Sequence, residues 1–90
     1  MVKVKLTSAL RRFFPDLHTM QTNPNSLIEI LHALDDSFPG ISDYILDDQR
    51  QLRKHVNIFI DGCIIEDREN LEMKIQDNSE VYIIQALSGG

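Results

Sequence analysis

A single cysteine, Cys63, occurs in the 90 residues. That excludes an internal disulfide, a thiolate metal cage and an iron–sulfur cluster, each of which needs more than one thiol, and it fits a reducing cytoplasm. Long apolar runs are also missing. Nothing approaches the roughly 20 apolar residues with which a helix crosses a bilayer, and the front of the chain, Met1-Val2-Lys3-Val4-Lys5-Leu6, alternates apolar and basic residues where a leader would be continuously apolar. Positive charge is scarce: nine Lys and Arg stand against 14 Asp and Glu, a net charge of -5. Neither a nucleic-acid backbone nor an anionic membrane is therefore expected as a partner, and a basic protein surface is the more natural mate. There is no phosphate-cradling glycine loop, so ATP is not expected to bind this chain. No cofactor or metal is expected either. His18, His32 and His55 lack ligand spacing, and no His or acidic group is fixed beside Cys63 by sequence, so all four are read as surface or strand residues. Asp35-Asp36 and Asp47-Asp48 are read as solvated charge, with steering of a basic partner as the alternative.

A chain of this length makes one domain that buries about 60 to 65% of its unfolded surface, which leaves no room for an enclosed cleft. Within it, Val2, Val4 and Leu6 alternate with Lys3, Lys5 and Thr7 and predict a half-buried strand. Leu17 to Thr22, after a turn at Pro15-Asp16, predicts the second arm of a hairpin. Ser26 followed by Glu29 has capping-box spacing, and Leu27, Ile30, Leu31 and Leu34 form the buried stripe of a helix. Phe38-Pro39-Gly40 ends it. Ile41 to Leu46 is either a short second helix or a few irregular turns. Val56, Ile58 and Ile60 predict a strand that turns through Asp61-Gly62, in a type I′ geometry, into Cys63-Ile64-Ile65. Leu71 is the expected anchor of the charged connection that follows, Asn78 a turn residue of positive φ, and Glu80 to Leu87 the last strand. The order of elements predicts an α+β fold: a mixed sheet of four to five strands with one main helix across one face, spanning residues 1–87 as a single domain.

The chain stops on Ser88-Gly89-Gly90. Two glycines add backbone entropy and nothing to bury, so they suit either a frayed end or a tail whose own carboxylate reacts after threading a narrow slot in another enzyme. The hairpin Val56-Asn57-Ile58-Phe59-Ile60-Asp61-Gly62, the turn Asp77-Asn78-Ser79-Glu80-Val81 and the ending Gln85-Ala86-Leu87-Ser88-Gly89-Gly90 together resemble the ubiquitin-like sulfur carriers of the ThiS/MoaD type, which have the β-grasp fold. The segment from Ile41 to Arg53 and the strand at His55-Val56-Asn57-Ile58 are most similar to the cysteine-biosynthesis carriers (the CysO type). Gln85-Ala86 stands where the molybdopterin subunit usually carries a proline pair.

The resemblance implies a carrier acted on by enzymes and not itself an enzyme. A ubiquitin-activating-like adenylyltransferase and sulfurtransferase, using ATP, would adenylate the Gly90 carboxylate and convert it to a thiocarboxylate. A sulfur-accepting enzyme, cysteine synthase-like or the large subunit of molybdopterin synthase, would then consume it. Residues 88–90 would be the flexible tail, with Gly89 and Ser88 free of bulk and Leu87 either a tail anchor or the last core residue. A protein modifier forming isopeptide bonds through Gly90, and a permanent small subunit of molybdopterin synthase, are the alternatives; a β-grasp ferredoxin is excluded by the lone cysteine. Strand parity turns Phe59, Tyr82 and Ile84 to the open face, near Lys3 and Lys5, as a candidate partner-binding patch. The competing expectation is that Ile41 to Leu46 folds over and covers it.

Overall fold

The computed structural model describes residues 1–85; Ala86, Leu87 and the Ser88-Gly89-Gly90 tail lie outside them. Five strands form one mixed sheet: β1 (Val2–Leu6), β2 (Met20–Thr22), β3 (Val56–Ile60), β4 (Cys63–Ile64) and β5 (Glu80–Gln85), in the order β2-β1-β5-β3-β4. Strands β1 and β5 pair in parallel at the centre, and the other neighbours are antiparallel. Helix α1 (Leu27–Ser37) lies across one face and buries the predicted stripe Leu27, Ile30, Leu31 and Leu34 completely. These side chains meet Val2 and Val4 of β1, Val56 and Ile58 of β3, and Val81 and Ile83 of β5 in a single core. The alternation in sequence thus becomes two faces of a sheet, one dry and one open.

The segment after α1 does form a short helix, α2 (Ser42–Ile45). Ile41, Ile45 and Leu46 sink into the core that α1 covers, so they leave the opposite face of the sheet bare. Gly40, at φ +90, makes the reversal that brings α2 back. Asp35 is the other half of that reversal, and its role corrects the reading of the Asp35-Asp36 pair as solvated charge. Its carboxylate accepts from the Ser42 backbone N–H at 2.9 Å and from the Ser42 hydroxyl at 2.5 Å. Asp47 is likewise local glue, accepting from the N–H groups of Gln49 and Gln51.

Three further departures from expectation share one cause, which is contact between residues distant in sequence. Between β1 and β2 the chain forms a 3₁₀ helix (Ser8–Arg12) that buries Ala9 and Leu10, and the second hairpin arm shrinks to Met20–Thr22. The Ser26–Glu29 pair makes a side-chain contact at 3.4 Å with no cap bond to the backbone. Carbonyls of the connection take over: the N–H of Leu27 bonds Met73 O at 3.0 Å and that of Ile28 bonds Leu71 O at 2.8 Å. The orphan donors of a helix start are thereby satisfied from outside the helix, and Leu71 is buried as expected. Arg68, unremarked in the sequence, braces the free edge of β3 beyond the short β4. Its guanidinium donates to Val56 O at 2.7 Å, to Asn57 Oδ1 at 3.1 Å and to Arg53 O.

The β3–β4 turn follows expectation, with positive φ at both central residues, Asp61 (+52) and Gly62 (+85), as type I′ requires. Asp61 does more than turn the chain. Its carboxylate accepts from the Glu80 N–H at 2.9 Å and the Ser79 hydroxyl at 2.8 Å, strapping the turn to the start of β5. These two bonds, the Glu80 N–H first, hold the Asp61 carboxyl below its ordinary range, and the N–H groups of Asn70 and Glu69 do the same for Asp67. A pKa lowered on folding stabilises the fold above the unfolded value, and that contribution is lost as pH falls through the folded value. Acid unfolding below about pH 4 is therefore expected to be shallower in Asp61→Asn than in the wild type, as followed by circular dichroism; equal pH profiles would show that the strap carries no proton linkage.

Candidate functional site

The open face is built by register. Phe59 of β3 lies opposite Tyr82 of β5 and Ile64 of β4, while Tyr82 lies opposite Lys5 of β1. Paired residues share a face, so Lys5, Tyr82, Phe59 and Ile64 form one row across four strands. Ile84 sits one step along β5, opposite Asn57. Phe59, Tyr82 and Ile84, the three residues parity assigned to this face, line one shallow depression of about 230 Å³ with Gly62 and Glu80. Tyr82 is 39% exposed, and Phe59 and Ile84 are half-buried against their neighbours.

Ile64, 49% exposed, belongs to the same row and was missed. The signal was present in the sequence: a two-residue turn at Asp61-Gly62 fixes Ile60 opposite Cys63 and hence Phe59 opposite Ile64. Cys63 itself is exposed on the edge strand. Among the described residues no group of three or more His, Cys, Asp or Glu is placed to hold a metal ion, and no helix is long and apolar enough to cross a membrane.

The route to the tail is the second part of the site. Thr7, just past β1, holds the end of β5 by three bonds: its N–H donates to Ile83 O at 3.0 Å, its hydroxyl donates to the same carbonyl at 3.1 Å, and its Oγ1 accepts from the Gln85 N–H at 3.0 Å. On the other side Gln85 pairs with Val56 of β3. The last described residue is thus fixed from both flanks, and Leu87, Ser88, Gly89 and Gly90 follow from that point, outside the described residues.

A five-stranded mixed sheet with two parallel central strands, one helix on one face and an apolar patch on the other is the β-grasp arrangement of the ubiquitin-like carriers. The ThiS family model matches residues 4–90, and the chain belongs to the ThiS family. Among solved structures it is similar to a chain of the Amycolatopsis orientalis BexX/CysO complex, with 19% identity, a TM-score of 0.83 and coverage of 100% of both chains. Mycobacterium tuberculosis CysO gives 22% identity and a TM-score of 0.81, covering 97% of this chain and 100% of that one. At these identities the likeness is one of fold. The small archaeal modifier protein 1 of Methanosarcina acetivorans reaches 30% identity with a TM-score of 0.75, over 99% of this chain and 95% of that one. No curated protein matches.

Proposed function

We propose that this chain carries sulfur on its C-terminal glycine for a biosynthetic enzyme, in cysteine synthesis. The observation that carries the reading is the family match running through Gly90, on a domain whose central strand leads directly to the tail. A free carboxylate is a poor electrophile. A ubiquitin-activating-like partner joins the Gly90 carboxylate to the AMP moiety of ATP, releasing pyrophosphate, and the mixed anhydride has a good leaving group. A sulfur nucleophile then displaces AMP, and the resulting thiocarboxylate is the donor for a sulfur-accepting, cysteine synthase-like enzyme. ATP binds the partner. The layout of the Ile41 to Arg53 segment supports cysteine synthesis as the pathway served. This chain contributes a tail without side chains at its last two positions, a fixed exit at Gln85, and a face for the partner to grip at Phe59, Tyr82 and Ile84.

Intact mass of the chain isolated from its host tests the reading. A thiocarboxylate adds the difference between one sulfur and one oxygen; lack of that species in the presence of the activating enzyme and a sulfur source would sink it. The 30% identity to a small archaeal modifier protein favours a second reading, in which the same adenylate ends as an isopeptide on lysines of other proteins. A Ser-Gly-Gly remnant on lysines of other proteins, left by chymotryptic cleavage after Leu87, would identify that fate.

Phe59→Ala is expected to weaken the complex with the activating enzyme by tenfold or more, about 1.4 kcal/mol or above, as for an aromatic at the centre of an interface, while the circular dichroism spectrum stays native. Unchanged affinity would move the grip elsewhere.

A further inference from the structure

The charge of the open face runs against that of the whole chain. The sequence carries 14 acidic and nine basic side chains, yet the charged residues that the strands turn to this face are Lys3, Lys5 and Glu80. Lys5 is the one in line with the apolar row, opposite Tyr82. It is held by a single exposed ion pair, Nζ to Glu80 Oε1 at 3.1 Å, with the two side chains 41% and 48% exposed. Glu80 also borders the depression beside Phe59 and Tyr82. Asp61, at the Gly62 end, already accepts from Ser79 and Glu80.

An exposed pair of this kind contributes little to folding, so its partners are exchangeable at little cost. A carboxylate arriving from another protein, next to an apolar side chain seated over Tyr82 and Phe59, would find Lys5 in a partly desolvated setting where one ion pair is worth more than it is in water.

We infer that Lys5 is the charged anchor of the docking face, and that the surface it selects is acidic beside an apolar knob, the reverse of what the net charge of the chain suggests. On docking, Lys5 trades Glu80 for a partner carboxylate. Glu80 is then a competitor for Lys5, so removing its charge tightens binding, the opposite of what steering by the chain's net charge of -5 toward a basic surface would give. It rests on the carrier reading, because the partner meant is the activating enzyme.

The probe is the host's ubiquitin-activating-type adenylyltransferase, recognised by ATP-dependent pyrophosphate exchange with the wild-type chain, with affinity measured by calorimetry at low and high salt. Lys5→Glu is expected to weaken binding by about tenfold or more. Glu80→Gln, which frees Lys5 and leaves the Asp61 bond to the Glu80 backbone intact, is expected to tighten it about two- to threefold. Both effects should shrink in high salt. If wild type supports exchange but Lys5→Glu binds normally, or Glu80→Gln binds more weakly, the anchor inference is overturned and the carrier reading stands. If no host enzyme supports exchange with the wild-type chain, both fall together.

Discussion

Removing Gly90 is expected to abolish thiocarboxylate formation altogether while leaving the thermal unfolding midpoint unchanged. With the Gly90 carboxylate as the proposed reacting group, a chain ending on Gly89 presents its carboxylate about one residue, some 3.5 Å, short of the bound nucleotide. A bulky substitution makes the complementary case. Gly89→Val keeps the length and adds a branched side chain to the tail that the proposed reaction threads through a slot, and misplacing the reacting carbon by about 1 Å costs on the order of a hundredfold in rate. Pyrophosphate exchange reads the first half of the reaction and intact mass the second. A Gly90 deletion that still gains sulfur would place the reactive group elsewhere.

The second large effect concerns the domain itself. Ile58 is fully buried in the middle of β3, facing Ile83 of β5 in the layer that α1 covers. Truncation to alanine removes three buried carbons and leaves a void that neither the sheet nor the helix can close, so Ile58→Ala is expected to cost about 3 kcal/mol. Against a total of about 5 to 13 kcal/mol for a domain this small, the loss lowers the melting temperature by about 12 to 24 °C. Differential scanning calorimetry measures it. Phe59, the next residue, provides the contrast, because its side chain lies on the other face. Two neighbours in sequence should therefore separate stability from binding, and a large loss of melting temperature in Phe59→Ala would contradict the assignment of faces.

Those faces were legible in the sequence because they depend on parity alone. The alternation of Val2, Val4, Val56, Ile58, Val81 and Ile83, the helical stripe of Leu27 to Leu34 and the Asp61-Gly62 turn each state their structure within a few residues. What stayed hidden is held together by contacts across the chain. Capping by Leu71 and Met73 could not be read from Ser26 and Glu29, because the carbonyls that take the helix donors lie more than forty residues downstream. Arg68 looks like one charge among many in a polar connection until β3 is seen to lack a neighbour beyond β4. Asp35 reads as one half of a solvated acidic pair, and only the reversal at Gly40 brings Ser42 to it. In the site, parity found Phe59, Tyr82 and Ile84 together but missed Ile64, whose place needed the turn register as well.

The Thr7 clamp has a mechanical meaning. If the tail is drawn into an enzyme as proposed, the tension runs along the axis of β5, which lies between β1 and β3. A pull along that axis loads the hydrogen bonds of both ladders sideways and simultaneously, so they resist as a set, whereas a pull at right angles would break them one after another. The Thr7 bonds to Ile83 and Gln85 set the point at which that load begins to be shared. Force applied at the tail is thus spread through the middle of the sheet, and the domain behaves as a rigid handle for its own last residues.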